Sequence, residues 1–512
     1  MSGTGFTELQ KLQNGSDIRG VAMEGIPGET VNLTPELATL IGRALGLWLR
    51  KHIPGSGRVA VGTDSRLSGV QLKTAFVYGL LSEGFDVMDC GLASTPAMFM
   101  TTVHPGIHAD AGVMLTASHL PFNRNGMKFF TAKGGLDKGN IQDLLRMAAE
   151  LVPQAKEAEK GRLEKLDFIS HYAAYLTDVI RQGVRDPEHF ETPLSGFKII
   201  VDAGNGAGGF FADRVLEVLG ADTRGSQFLD PDGRFPNHVP NPEDGDAMAS
   251  ICEAVIREKA DLGIIFDTDV DRSALVDAQG NAINRNELIA LISAVILAEH
   301  PGSVIVTDSI TSTGLKWFIE EHLKGVHHRF KRGYRNVINE SIRLNQEGRE
   351  SWLAIETSGH AALRENHFLD DGAFLVAKLL IQMARLKRNG TSLEDLITSL
   401  PRPLESREYR LSIEAGDFSS YGARVLEEMA KEVESEDGWI PENPNYEGIR
   451  VQCTDPAENG WFLLRMSLHD PLMPLNIESS ALGGVDRIRI RLRKLLSAFE
   501  KLDTVALNLK YG

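Results

Sequence analysis

Short apolar runs rich in Val and Ile recur along the chain, separated by longer stretches whose apolar positions repeat with helical period. The runs at 58–62, 112–115, 198–201, 262–266, 303–307 and 352–355 predict strands, because continuous apolar segments bounded by turn residues suit strands buried on both faces. The stretches at 72–83, 211–219, 246–259 and 287–298 predict helices. Alternating strands and helices imply mostly parallel sheets covered by helices. In such sheets ligands gather beyond the carboxyl ends of the strands. Pro401-Arg402-Pro403 is a breaker, and beyond it the pattern changes to helices at 418–433 and 484–502 around a few strands. Residues 403–512 therefore read as a separate α+β domain.

At 512 residues the chain exceeds the roughly 250–300 residues that one core supports, and about 150 residues per domain gives three or four domains. Several strand-then-polar-loop units in succession suggest a repeated α/β domain. The charged stretch 154–165 reads as an exposed linker or helix after the first unit, and 277–285 as a join between the second and third.

The formal charge of −16 disfavours a nucleic-acid-binding surface. It also requires any anionic substrate to find a local pocket of Arg and Lys. Cys90, Cys252 and Cys453 are too scattered for a disulfide framework or a zinc site, which suits a reducing compartment. The first residues show no basic and apolar leader pattern, so no signal peptide is expected. The apolar stretch at 288–298 falls short of the ~18 residues that span a bilayer. The expectation is a protein of the cytoplasm or a soluble organelle interior such as the plastid stroma, without membrane association, and a monomer or small homo-oligomer.

Candidate chemistry sits where the strands end. In Gly112-Val-Met-Leu-Thr-Ala-Ser118-His119, a serine at a strand end suits an exposed, rigidly held nucleophile or phosphoryl carrier, although Ser-His alone equally suits a turn. No G-x-S-x-G elbow occurs, which disfavours a serine hydrolase. Lys128 lies further along what reads as the same loop. In Phe266-Asp267-Thr-Asp269-Val-Asp271-Arg272, three carboxylates alternate after an apolar strand and could supply hard oxygen ligands to one Mg²⁺. A solvated acidic turn is the other reading. An EF-hand is not, since its sixth and twelfth positions carry Arg272 and Ala278. Glu356, Ser358 and His360, followed by Asp370-Asp-Gly372, offer donors and acceptors for sugar hydroxyls or for a cap. Gly204, Gly206 and Gly209 satisfy G-x-G-x-x-G after a strand. Asp230 comes late for its acidic partner, and structural glycines in a tight turn are the better reading.

Taken together and in order, these motifs resemble the α-D-phosphohexomutase superfamily. The likeness begins with Ser16-Asp-Ile-Arg19-Gly20 and continues through Gly62-Thr-Asp-Ser-Arg66 and Thr116-Ala-Ser-His119. It goes on through the aspartate loop, Gly333-Tyr-Arg335 and Glu356-Thr-Ser358-Gly-His360. The resemblance implies three related mixed-sheet α/β domains and a C-terminal α+β domain around a central cleft. With the boundaries read from the charged stretch, the join and the proline breaker, these domains fall at 1–160 (phosphoserine loop), 161–284 (metal loop), 285–402 (sugar loop) and 403–512 (phosphate clamp). The resemblance also implies that Ser118 is a phosphoserine whose phosphate completes the Mg²⁺ shell of Asp267, Asp269 and Asp271. Arg19 and Arg272 would face the reacting centre, and Lys128 would act as general acid/base with His119 beside Ser118. Glu356, Ser358, His360, Gly333 and Arg335 would bind the sugar, and Arg465 and Ser467 the other phosphate. Expected partners are a phosphorylated hexose, glucose before mannose, and its 1,6-bisphosphate.

The departures are local. Leu120 stands where the family has Asn, Thr268 and Val270 where the metal loop has glycines, and Thr357 in the sugar loop. The clamp reads Arg465-Met-Ser-Leu-His-Asp-Pro471, with His469 for Thr and the glycine lost. This altered clamp keeps open a sugar-bisphosphate synthase using the same phosphoserine. Two other classes complete the alternatives. One is a haloacid-dehalogenase-like phosphotransferase on Asp267, whose pattern wants Thr or Val at position 271. The other is a non-catalytic phosphosugar sensor.

Overall fold

The computed structural model describes residues 6–151, 161–467 and 470–509. His469 and residues 154–160 of the charged stretch lie outside the described residues. The chain divides into two compact units, Met1–Asn284 with Ser358–Asp395, and Arg285–Thr357 with Leu396–Gly512.

In the first unit the leading sheet runs in the order Gln13–Asn14, Asp17–Val21, Arg124–Thr131, Ala111–Leu115, Arg58–Thr63, Asp86–Leu92, Leu163–Lys165. The last four are parallel, whereas Arg124–Thr131 and Asp17–Val21 add antiparallel strands. Ala111–Leu115 is buried along its whole length, as its unbroken apolar pattern requires. The helix Pro35–His52 covers the sheet. Thr34 caps it, accepting from the Leu37 amide, and proline opens it, where a missing N–H costs nothing.

A second sheet of the same unit runs Ala282–Ile283, Ser273–Asp277, Leu262–Phe266, Ile199–Asp202. Residues 277–285, expected as a join, begin with a turn within this sheet, and the division between the two units falls at their end, after Asn284. Asp277 accepts from the amides of Gln279 and Asn281 and so closes a hairpin. The predicted helix at 211–219 is a π-helical turn over Ala212–Leu216. Within the charged stretch, Leu163–Lys165 is a strand parallel to Asp86–Leu92. The hairpin Ala361–Leu363/Leu369–Asp370 and the helix Gly372–Lys387 also belong to this unit.

In the second unit Val304–Thr307 pairs in parallel with both Val326–Arg329 and Ser351–Ile355. The C-terminal sheet is antiparallel in the order Glu405–Ser412, Leu472–Ser479, Gly460–Leu464, Ile449–Cys453, Trp439–Pro441. With the helices Phe418–Ser435 and Gly484–Leu496 it closes a core of its own. The last helix stops at Leu496 rather than near 502, because the chain then turns to bring Leu502 into a bridge with Ile413. Among the described residues no helix is long and apolar enough to cross a membrane.

Candidate active site

Ser118 follows the strand Ala111–Leu115 in a left-handed backbone conformation, φ 50°. Such a conformation costs a non-glycine residue about 1–3 kcal/mol and persists only when its surroundings impose it. Arg66 imposes it. Its two terminal nitrogens donate to the carbonyl oxygens of Ser118, Leu120, Pro121 and Arg124 at 2.5, 2.6, 2.6 and 3.0 Å. Its Nε faces Asp64 Oδ2 at 3.2 Å, and both side chains are fully buried. The serine is 3% exposed, so it is enclosed rather than surface-presented as its strand-end position had suggested.

Across from it the three aspartates follow the strand Leu262–Phe266, all buried, which rules out a solvated acidic turn. Their carboxylate oxygens approach within 4.8 Å of one another. Ser118 Oγ donates to Asp267 Oδ2 at 2.8 Å. Thr95 Oγ1 donates to Asp269 Oδ2 at 2.5 Å. Lys128 lies on the strand Arg124–Thr131, not on an exposed loop, and its ammonium donates to Asp269 Oδ2 at 3.0 Å and to Asp271 Oδ2. The second oxygens of Asp269 and Asp271 are buried without a hydrogen-bond partner. Burial, then Asp271 and Asp269, push the Asp267 carboxyl well above its usual range. For Asp271 burial acts the same way, but Lys128, His360 and Arg272 outweigh it and hold its carboxyl low. Crowded anionic oxygens with two atoms unsatisfied are the donor set of a hard divalent cation.

Val270 occupies the left-handed region at φ 67°, where the resembling family has glycine. A β-branched residue is strained there, yet its side chain is fully buried, and burying a valine stabilises by about 1.5–3 kcal/mol.

Arg272 joins the two loops. Its Nε donates to Asp267 Oδ2 at 3.2 Å, and its Nη2 to Ser118 Oγ at 3.1 Å and His119 Nδ1 at 2.6 Å. Burial, then Arg272 and Arg19, depress the His119 imidazole to about 2, so it is a neutral acceptor. Arg19 Nη1 donates to the Ala117 carbonyl at 3.0 Å. His360 bridges to Arg272 through the backbone, and its Nδ1 lies 2.7 Å from Asp370 and 3.9 Å from Asp271. Burial opposes a charge on His360, but Asp370 and then Asp271 lift it to about 9. The first unit thus assembles Arg19, Ser118, His119, Lys128, the three aspartates, Arg272 and His360, and it also carries Ser358.

Gly333, Arg335, Glu356, Arg465 and Ser467 lie in the second unit. Gly333 N donates to Glu356 Oε1 at 2.6 Å. Arg465, beyond the strand Gly460–Leu464, is buried. Burial and then the Arg332 charge depress its guanidinium, while Glu447, Glu408 and Asp308 counter them. Arg332, with its side chain 23% exposed and its Nε 3.6 Å from Asp308 Oδ2, adds a second guanidinium charge near Arg465, and such a pair suits an anion. Ser467 Oγ accepts from the Asp470 amide at 3.2 Å.

Thr95 and Asn241, which accepts from Arg272 Nη1 at 3.1 Å, escaped sequence reasoning. No spacing marks Thr95. Asn241 did carry a signal, in the proline-punctuated Pro236-Asn-His-Val-Pro240-Asn-Pro242.

Comparison with known proteins places this geometry in context. Family models described as phosphoglucomutase/phosphomannomutase alpha/beta/alpha domains I, II and III match residues 10–150, 173–280 and 284–404. A phosphomannomutase/phosphoglucomutase of Pseudomonas putida is 30% identical over 477 residues, 93% of this chain and 94% of that protein. A phosphoglucomutase of Neisseria gonorrhoeae is 28% identical over 482 residues, 93% of this chain and 95% of that protein. The crystal structure of a phosphoglucomutase/phosphomannomutase family protein from Burkholderia thailandensis superposes with a TM-score of 0.77 at 27% identity. It covers 96% of this chain and 98% of that one.

Proposed function

The chain belongs to the phosphoglucomutase/phosphomannomutase family of isomerases, and on that footing we propose that it interconverts hexose 1-phosphate and hexose 6-phosphate by relaying a phosphoryl group through Ser118. Glucose phosphate is the first substrate to test and mannose phosphate the second. The observation that carries the reading is Ser118 Oγ held 2.8 Å from Asp267 and 3.1 Å from Arg272 in a buried, left-handed loop.

In the phosphorylated enzyme Ser118 Oγ bears the phosphoryl group. A hydroxyl of the hexose phosphate attacks phosphorus as the Oγ–P bond breaks, and the serine oxygen keeps the electron pair. The hydroxyl proton leaves to Lys128, which acts as base only once its ammonium, held by Asp269 and Asp271, has lost a proton, and Lys128 returns the proton it takes when the bisphosphate hands its other phosphoryl group back to Ser118. The second half repeats the first in reverse, so the net change is an isomerisation with no donor consumed. Arg272 and Arg19 steady the serine side of the transfer, and a fork-shaped guanidinium matches phosphate oxygens two at a time. Asp267, Asp269 and Asp271 would hold Mg²⁺ with an oxygen of the phosphoserine, which supplies neutralisation of charge developing on the transferred group. Gly333, Arg335, Glu356, Ser358 and His360 bind the sugar, and Arg465 and Ser467 hold the phosphate not being transferred.

Labelled hexose 1,6-bisphosphate should leave acid-stable label on the Ser118 peptide, and Ser118→Ala should abolish both label and turnover. Acid-labile label on Asp267, or turnover surviving in Ser118→Ala, overturns the reading. Consumption of a phosphoryl donor in step with product would replace the mutase with a bisphosphate synthase.

A further inference from the structure

Residues 232–244 are fastened at one end to the glycine-rich turn 202–209 and reach the phosphoryl site at the other. Asn237 Nδ2 donates to Asn205 Oδ1 at 2.7 Å, and Asn205 Nδ2 to the Asp230 carbonyl at 2.8 Å. His238 Nε2 lies 3.0 Å from each carboxylate oxygen of Asp202, and its Nδ1 lies 2.9 Å from the Val239 carbonyl. Both ring nitrogens therefore face acceptors. A neutral imidazole has a single N–H, so only the doubly protonated ring satisfies both. The pair is out of solvent, with side-chain exposures of 3% and 0%.

The charged groups facing His238 are Asp202, at the end of the strand Ile199–Asp202, and Asp244, the cap of the helix Gly245–Glu258. Phe228 presents its ring nearly perpendicular at 5.3 Å. Burial opposes the imidazolium, but Asp202, the Val239 carbonyl and Asp244 outweigh it and raise its pKa above the ordinary value.

At the far end of the segment Asn241 Oδ1 accepts from Arg272 Nη1 at 3.1 Å, and Glu243 stands 3.9 Å from the same nitrogen. The other terminal nitrogen of Arg272 is the one that donates to Ser118. The glycine-rich turn also steadies the aspartate loop directly. Ala207 N donates to the Thr268 carbonyl at 2.8 Å, and a Cβ on Gly206 would stand 2.7 Å from that oxygen. Gly206 serves close packing against the aspartate loop, whereas Gly204 makes room for Pro240 and Gly209 for the Leu229 carbonyl.

We propose that the Asp202–His238 ion pair is a positioning element for phosphoryl transfer: it fixes residues 237–244 and, through Asn241, sets the guanidinium of Arg272 on Ser118. This rests on the phosphoserine reading above. When His238 loses its proton, one of its two hydrogen bonds is lost and the grip on Asn241 slackens. Turnover then falls on the alkaline side while sugar binding, made by other residues, persists.

His238→Gln, uncharged and with both its N–H donors on one nitrogen, should lower kcat on the order of 10–100-fold, the usual cost of losing an outer support. KM for the hexose phosphate should hold, and the alkaline limb of the kcat profile should disappear. Asn241→Ala should lower kcat comparably, and the double variant should be no worse than the poorer single one, because the two residues act in one chain. Nitrogen NMR of the unliganded protein should show both His238 nitrogens protonated at neutral pH. A neutral ring, an unaltered pH profile in His238→Gln, or additive losses would overturn the proposal. If His238→Gln fails to fold, Asn241→Ala, on a half-buried side chain, carries the test alone, and unchanged kcat there overturns it. Label on Ser118 is measured in every protein. Its absence from the parent enzyme sinks the phosphoserine reading, whereas its presence with unaffected variants sinks the positioning role only.

Discussion

Replacing Arg66 with lysine keeps the charge beside Asp64 but removes the fork that shapes the Ser118 loop. Arginine has five N–H groups. Here four serve the carbonyl oxygens of Ser118, Leu120, Pro121 and Arg124, and the fifth faces Asp64. Lysine has three. If one keeps the Asp64 pair, two remain for four carbonyls; the Pro121 carbonyl also accepts from the Arg124 amide, so one oxygen is left without a partner. At about 1–3 kcal/mol for an orphaned group, the substitution costs about 1–3 kcal/mol. A central value of about 2 kcal/mol lowers the thermal midpoint by roughly 4–8 °C at about 2–4 °C per kcal/mol. Catalysis should suffer as well, because the left-handed conformation of Ser118 stores about 1–3 kcal/mol that the loop releases once its clamp weakens. A displacement of about 1 Å at the reacting atom costs on the order of 100-fold in rate. Differential scanning calorimetry gives the midpoint, and a coupled assay of glucose 1-phosphate turnover gives kcat and KM. The expected pattern is a lower midpoint and a lower kcat with KM held. An unchanged midpoint together with unchanged kcat would refute the claim that these four hydrogen bonds hold the loop.

Two further outcomes follow from the same geometry. Adding Mg²⁺ at about 100 times its dissociation constant should stabilise the protein by about 2.7 kcal/mol, and Asp269→Asn should lose most of that gain in a thermal-shift titration. A full magnesium shift in the variant would place the ion elsewhere. In the C-terminal sheet burial pushes the Glu478 carboxyl from 4.5 to about 7, despite Arg450 and the Trp461 indole that donates to it at 2.9 Å. The folded state therefore keeps a proton that the unfolded chain releases. This contribution is full below about pH 4.5 and is lost as pH rises through about 7, on the order of 3 kcal/mol in all. Glu478→Gln should accordingly gain stability relative to the parent between pH 5 and pH 8 in urea titrations, and a pH-independent difference would refute it.

The apolar runs located the strands to within a residue or two, because a strand buried on both faces needs an unbroken apolar stretch whatever surrounds it. The run at 262–266 is the strand Leu262–Phe266, and the aspartates follow it as its carboxyl end required. Local punctuation was less readable. Residues 277–285 read as a join, and the hairpin that occupies most of them went unseen because a hairpin inside a sheet and a join between domains use the same turn residues. The helix at 484–502 ends early because a bridge between Leu502 and Ile413, far apart in sequence, draws the chain out of helical register. Lys128 read as a loop residue because its strand, though buried from Asn125 to Thr131, opens with Arg124, Asn125 and Gly126 and so lacks the unbroken apolar run of the parallel strands beside it.

Sequence alone determined the kind of chemistry. A serine at one strand end, three alternating carboxylates at another, and their order with the sugar and clamp motifs are covalent facts about which groups the chain carries. Tertiary structure decided which of those groups touch. It carried Asp267 across 149 positions to Ser118 and placed Lys128 between Asp269 and Asp271. It also turned Arg66 and the Asp202–His238 pair into supports for the loop and for Arg272. The physical reason is that spacing along a chain constrains neighbours within a few residues. Contacts between strand-end loops depend on how sheets and helices pack, which the energetics of the whole core settles.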